Sequence, residues 1–180
     1  MDKVSARQFL EAWAGTVQAR KEHLLSVWRK PEELASNVNG GDGSIIKEIA
    51  DNLHLLCYQS DYYWLHTVLY KAEDLLPDIA KGFYWLKDIR VAFEHQPDCR
   101  SGLYEQISHL LVMNCDLKVL VTYPNDDGPQ QLESLHKVIK ENRQSKALSD
   151  EEGLLVIFGS EADFRWDGYV YKEDHWKQIN

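Results

Sequence analysis

The sequence predicts a single α/β domain with a mixed central sheet flanked by helices. Three observations carry that expectation. "LKVLVTY" (117–123) and "LLVIF" (154–158) are continuous apolar runs, the pattern of strands buried on both faces. Between them "GPQQLESLHKVIKENRQ" (128–144) is amphipathic and long enough to cross from one parallel strand to the next. Upstream, "YYWLHTVLY" (62–70) and residues 89–96 have strand composition and form a hairpin-like pair.

Taken in order, residues 5–30 read as one long helix. Ser5 caps it, Phe9, Leu10, Trp13, Val17, Leu24 and Trp28 supply its apolar side, and Pro31 follows its end. "NVNGGDGS" (37–44) is a flexible loop rich in Gly and Asn, and Ser44 caps a second helix over 45–59. The strand at 62–70 is linked by "KAEDLLPDIAKG" to the strand at 89–96. A helix follows over 101–114, with Ser101 as its cap and Leu103, Ile107, Leu110 and Leu111 at helical spacing. After the strand, helix and strand described above, "FRWDGYVYKEDHWKQI" gives a short strand and a polar end.

The 180 residues suffice for one domain with a sizeable core, and the 44% hydrophobic and 27% charged fractions are those of a globular protein. No apolar run approaches the ~20 residues of a membrane helix. The N-terminus lacks the apolar segment of an export signal, so a cytoplasmic protein with no membrane partner is expected. Cys57, Cys99 and Cys115 cannot all pair within one chain, which fits reduced thiols. The net charge is −9, with +3 on the first 30 residues and −12 on the remainder. Such a chain binds a polyanion weakly unless a basic groove or a metal intervenes.

One stretch breaks the apolar pattern. In "RVAFEHQ" alternation puts Ala92, Glu94 and Gln96 on one face and Val91, Phe93 and His95 on the other. On the preceding strand Trp64, His66, Val68 and Tyr70 share a face, and antiparallel pairing would bring His66 near Glu94. In the helix read over 45–59, Glu48 falls within the arc of Ile45, Ile49, Asn52 and Leu55. A buried acid needs a partner or a metal. Glu48, His66, Glu94 and Gln96 are therefore expected to share one pocket. An oxygen-rich pocket of that kind holds Mg²⁺ or Mn²⁺ and can activate water against a phosphodiester.

The order of elements over residues 45–160 resembles the PD-(D/E)XK, or restriction-endonuclease-like, nuclease superfamily. That family's core is a helix carrying Glu, a strand carrying Asp and a strand carrying Glu-x-Lys, followed by a helix and a further strand. "IIKEIADNL" resembles the first, "YYWLHTVLY" the second and "RVAFEHQ" the third, with "YEQISHLL" and "LKVLVTY" after them. The resemblance implies a restriction-endonuclease-like core preceded by a helical extension (1–36) and followed by a strand and tail (161–180). It implies that Glu48 and Glu94 bind Mg²⁺ or Mn²⁺ and that DNA is the partner. Gln96 stands where the family usually has Lys and would orient the water. His66 stands where it has Asp and would serve as a weak ligand or proton acceptor. The implied function is a metal-dependent nucleic-acid phosphodiesterase with a degenerate site. The alternative is a nuclease-fold domain without hydrolysis that binds or regulates, with a protein as partner.

A second, literal register is Pro97-Asp98 with Asp116-Leu117-Lys118, which would make Asp98, Asp116 and Lys118 the site. It ranks lower, because the family joins those strands by a hairpin and residues 101–114 read as a helix. Each residue also has a plainer reading. Glu48 is a first-turn helix acid, His66 a core histidine and Gln96 an edge amide. His95, Cys99, His109 and Cys115 match no compact zinc spacing. Tyr62, Tyr63, Trp64, Tyr84 and Trp85 are able to stack bases, but core or rim packing is the commoner role.

Overall fold

Ser5 starts the chain's first helix as the spacing predicts. Its Oγ accepts from the Gln8 amide while Gln8 Oε1 accepts from the Ser5 amide, a reciprocal capping box. In this computed structural model, which describes residues 3–60, 62–77, 85–98, 103–124 and 127–180, that helix is α1, Ala6–Ala19. It does not run on to residue 30. Arg20 leaves helical geometry, and its guanidinium reaches Gly43 O at 2.6 Å and Glu48 Oε2 at 2.5 Å. The helix resumes as α2, Lys21–Val27. Pro31 opens α3, Pro31–Asn39, where its fixed φ and missing N–H suit a first helical position. A proline that looked like a stop is a start.

Ser44 caps α4, Ile45–Asn52, as expected, but α4 ends far short of residue 59. His54 takes a left-handed φ of 57°, Leu55 N–H bonds Ala50 O at 2.8 Å and His54 N–H bonds Asp51 O at 3.1 Å. This is a Schellman stop, usually built on Gly, and here His54 hides it from the sequence. Residues Leu56–Tyr58 then form β1, antiparallel to β2, Thr67–Tyr70. The strand expected from residue 62 starts late because Tyr63 (φ 51°) and Trp64 (φ 74°) turn the chain tightly between Tyr62 and Leu65.

A single helical turn, Ala72–Asp74, precedes β3, Val91–Gln96. Helix α5, Tyr104–Val112, leads to β4, Leu117–Thr122; the Ser101 cap lies outside the described residues. Helix α6, Gly128–Glu141, and an unforeseen α7, Ser145–Asp150, precede β5, Leu154–Ser160. The tail is a full hairpin of β6, Arg165–Lys172, and β7, His175–Ile179, in place of a strand and a polar end.

Among the described residues seven strands lie side by side in chain order. Only β3/β4 and β4/β5 are parallel, each joined by helices; the rest are antiparallel neighbours. This is the mixed sheet with flanking helices that the patterning predicts. One face is covered by α1–α4, where Phe9, Trp13, Ile45 and Ile49 pack on Val91, Phe93 and Val119. The other is covered by α5–α7, where Ile107, Leu110, Leu135 and Leu148 pack on Ala92, Leu120 and Val156. Close approach of α1 to the sheet needs Gly168, where a Cβ would sit 2.5 Å from Leu10 Cδ2.

Where the sheet changes from antiparallel to parallel, Arg90 is buried. Its amide bonds Leu69 O, its carbonyl accepts from Leu117 N–H, and its guanidinium forks onto Asp74 with contacts of 2.8 and 2.5 Å. The guanidinium hydrogen bonds hold the Asp74 carboxyl below the usual carboxylate range. Removing Asp74 takes the forked partner from a buried guanidinium. Asp74→Ala is expected to lower stability by about 3–5 kcal/mol in urea unfolding. A change below about 1 kcal/mol, the scale of an exposed pair, would remove the clamp from the fold's supports.

Candidate functional site

The β2/β3 register pairs Thr67 with Phe93, so one step further His66 faces Glu94. Alternation along β3 sends Val91 and Phe93 under α1–α4 and turns Glu94 toward α5. Glu94 is 1% exposed. Its Oε2 lies 2.6 Å from His66 Nδ1, and its Oε1 lies 3.4 Å from Nδ1 of His109 on α5. The His95 amide also approaches His66 Nδ1, at 3.3 Å. The 2.6 Å contact requires a proton between the two atoms, so Nδ1 is assigned as the donor to Glu94, the shorter and stronger of the two contacts.

These groups line a cleft of about 440 Å³. Trp64 and His66 flank one side, Gln106 and His109 of α5 the other, and Asn39 and Gln59 complete it from the ends of α3 and β1. Gln59 is held by its own amide, which donates to Asn39 O and Ser44 Oγ. Its second carboxylate is Glu105, and no Lys or Arg lines it among the described residues.

The expected four-residue pocket is thus assembled only in part. His66 and Glu94 meet as the alternation predicts. Gln96 shares their face of β3, opposite Thr122 of β4, but is not among the described residues lining the cleft. Glu48 goes elsewhere. Its helix packs on the other face of the sheet, and Glu48 is 41% exposed and paired with Arg20 at 2.5 Å. The buried arc of α4 instead contains Ile45, Ile46, Ile49 and Ala50.

The literal register is not brought together. Val91 lies beside Leu117 and Gln96 beside Thr122, so Asp98 follows one end of this strand pair while Asp116 precedes the other. The strand pair between them alone spans roughly 17 Å at ~3.3 Å per residue. Asp116 lies 3.6 Å from the Arg90 guanidinium, and Lys118 is buried with Nζ 3.6 Å from Cys115 Sγ. The His/Cys set is also dispersed. His95 points to the opposite face from His109, Cys115 lies beside Lys118, and Cys99 is outside the described residues.

Sequence reasoning missed the α5 contribution. Gln106 and His109 are three residues apart, hence on one side of the helix, flanking the apolar Ile107 and Leu110. That spacing was a readable signal. Asn39 and Gln59 offered none, because only the stops of α3 and α4 bring them to the cleft.

Behind Glu94, His95 Nε2 lies 2.8 Å from the Tyr123 hydroxyl. Burial, with a smaller contribution from His66, pushes the His95 imidazole down to about 3, and burial pushes the Tyr123 phenol up. The folded state therefore refuses a proton that the unfolded chain accepts. The associated stability is complete above the unfolded value of 6.5 and is lost progressively as pH falls toward about 3. The slope expected from His95 is up to about 1.4 kcal/mol per pH unit in that window. Urea unfolding of His95→Gln should show a shallower acid dependence than wild type. Parallel curves would remove His95 as the cause.

Among the described residues no group of three or more His, Cys, Asp or Glu side chains is arranged to hold a metal ion, and no helix is long and apolar enough to cross a membrane. No family model matches the sequence, and no curated protein or solved structure shows significant similarity to it.

Proposed function

We propose that this chain is a nuclease-fold domain of restriction-endonuclease-like order whose cleft at Glu94 binds a ligand and does not cut a phosphodiester. The order α4, β1–β3, α5, β4 supports the scaffold half of this reading, with Glu94 midway along β3 as the resemblance implies. The composition of the cleft supports the other half. It offers two carboxylates, amides and two imidazoles, with no Lys or Arg among its described residues to receive a phosphate. A phosphodiester would bring anionic oxygens beside two carboxylates with no cationic side chain to receive them.

The residues do not fit the ion that the resemblance implies. Mg²⁺ takes oxygen ligands in near-octahedral geometry. Glu94 Oε2 is engaged with His66, and Glu48 lies on the other side of the sheet. One observation favours the hydrolytic reading. Glu94 Oε1 and His109 Nδ1 are buried and have no hydrogen-bond partner among the described residues, and imidazole with carboxylate suits a softer ion such as Mn²⁺.

Incubation of wild type, Glu94→Ala and His66→Ala with circular duplex and single-stranded DNA, in Mg²⁺ or Mn²⁺, decides between them. The expected result is no cleavage and no Mn²⁺ binding heat. Cleavage by wild type that either substitution abolishes would overturn the binding reading and install the hydrolytic one.

A further inference from the structure

Lys118 leaves the central strand β4 on the face covered by α5–α7, beside Ala92 of β3, and is 3% exposed. Burying an ammonium is costly unless carboxylates or several acceptors surround it. Among the described residues Lys118 Nζ has one hydrogen-bond partner, the Sγ of Cys115 at 3.6 Å, and no ion pair. A thiol sulfur is a weak acceptor, so solvation of the ammonium does not account for the contact.

Cys115 lies where a small solute approaches it. It is half-buried in the bend that leads into β4, next to the exposed Asn114. Regular alternation would set residues 115 and 118 on opposite faces of a strand, and the bend brings them together instead. The thiol S–H is placed to donate to Leu117 O at 3.5 Å, which turns a sulfur lone pair toward Nζ. Cys57 packs on the α1–α4 face of the sheet, so it is not placed to resolve an oxidised Cys115. The nucleophile beside the sulfur is an amine.

We propose that Cys115 and Lys118 close a reversible sulfur–nitrogen cross-link, a sulfenamide, when the protein meets hydrogen peroxide. The Cys115 sulfur attacks peroxide, an S–O bond forms and the O–O bond breaks. Sulfur is oxidised to the sulfenic acid, and the departing oxygen is reduced to water. The unprotonated Lys118 amine then attacks the same sulfur. An S–N bond forms, the S–O bond breaks, and the hydroxyl leaves with one amine proton as a second water. Thiol, amine and one peroxide thus give the link and two waters. At 3.6 Å the amine is close to the roughly 3–3.5 Å separation from which bound groups react. The link carries no charge, which relieves the cost of a buried ammonium. Burial pushes the Cys115 thiol up, opposed by the Lys118 charge and assisted by Asp116, so the link should form faster in mildly alkaline than in neutral solution.

The test is treatment of the full chain with hydrogen peroxide in mildly alkaline buffer, followed by peptide mass mapping. Wild type should yield a single peptide spanning Cys115 and Lys118 that is lighter by two hydrogens, and dithiothreitol should restore its mass. Lys118→Met keeps the side-chain length and removes the amine. Dimedone, which traps sulfenic acids, should label Cys115 roughly tenfold more in that variant than in wild type, because no amine competes for the sulfur. Cys115→Ser should lose both products. An unchanged wild-type peptide, a Cys115 that gains oxygen without linking, a link that retains an oxygen, or equal dimedone labelling of the two proteins would each overturn the cross-link. A disulfide joining Cys115 to Cys57 or Cys99 is also lighter by two hydrogens, but it ties two separate peptides together and would overturn it too.

Discussion

The fold depends on a change of strand direction made at Arg90. A sheet whose first strands are antiparallel and whose middle strands are parallel must hand its hydrogen bonds from one pattern to the other. Arg90 does this with its backbone, bonding Leu69 on one side and Leu117 on the other, while its side chain is fixed by Asp74. Asp88 and Asp116 also lie 3.6 Å from the same guanidinium, so the buried cation is surrounded by acidic oxygen. This is charge chemistry in the service of topology: the ion pair fixes where β3 begins, and with it the register on both sides.

The cleft inherits that register. Had β3 slipped by one residue, Glu94 would have pointed into the aromatic layer of Phe9 and Trp13 in place of Phe93, and His95 into the cleft. In the observed register the two polar residues are segregated. His95 is neutral against Tyr123 on the closed face, and Glu94 lies between two imidazoles on the face that opens to solvent. Neighbouring positions of one strand thus serve opposite ends: one confines stability to a pH range, the other makes a polar site in an otherwise apolar sheet.

Legibility followed physical locality. The buried runs at 117–123 and 154–158 were readable because a parallel strand covered on both faces has no polar register to obscure it. The meeting of His66 with Glu94 followed from period-two alternation and one assumption about pairing. What stayed hidden was backbone conformation unsupported by its usual residue. His54 terminates a helix where Gly was the signal, and Tyr63-Trp64 turn the chain where Asn-Gly was. Glu48 misled for a related reason. With α4 ending at Asn52, Leu55, which seemed to extend its arc past Glu48, belongs to the next segment, and Arg20, distant in sequence, takes the carboxylate.

Strand order equal to chain order has a kinetic meaning. Every ladder of this sheet joins strands adjacent along the chain, so each closes a loop no longer than its own connection. The N-terminal helix is the exception. Leu10 lies on Gly168, Lys3 reaches Glu151 and Arg7 reaches the carbonyl of Asn180, contacts between residues 148 to 173 positions apart. During synthesis α1 leaves the ribosome before the surface that receives it is made. Until β6 emerges, Phe9 and Trp13 have only part of their packing partners, and the nascent chain carries an apolar helix awaiting a strand more than 140 residues downstream.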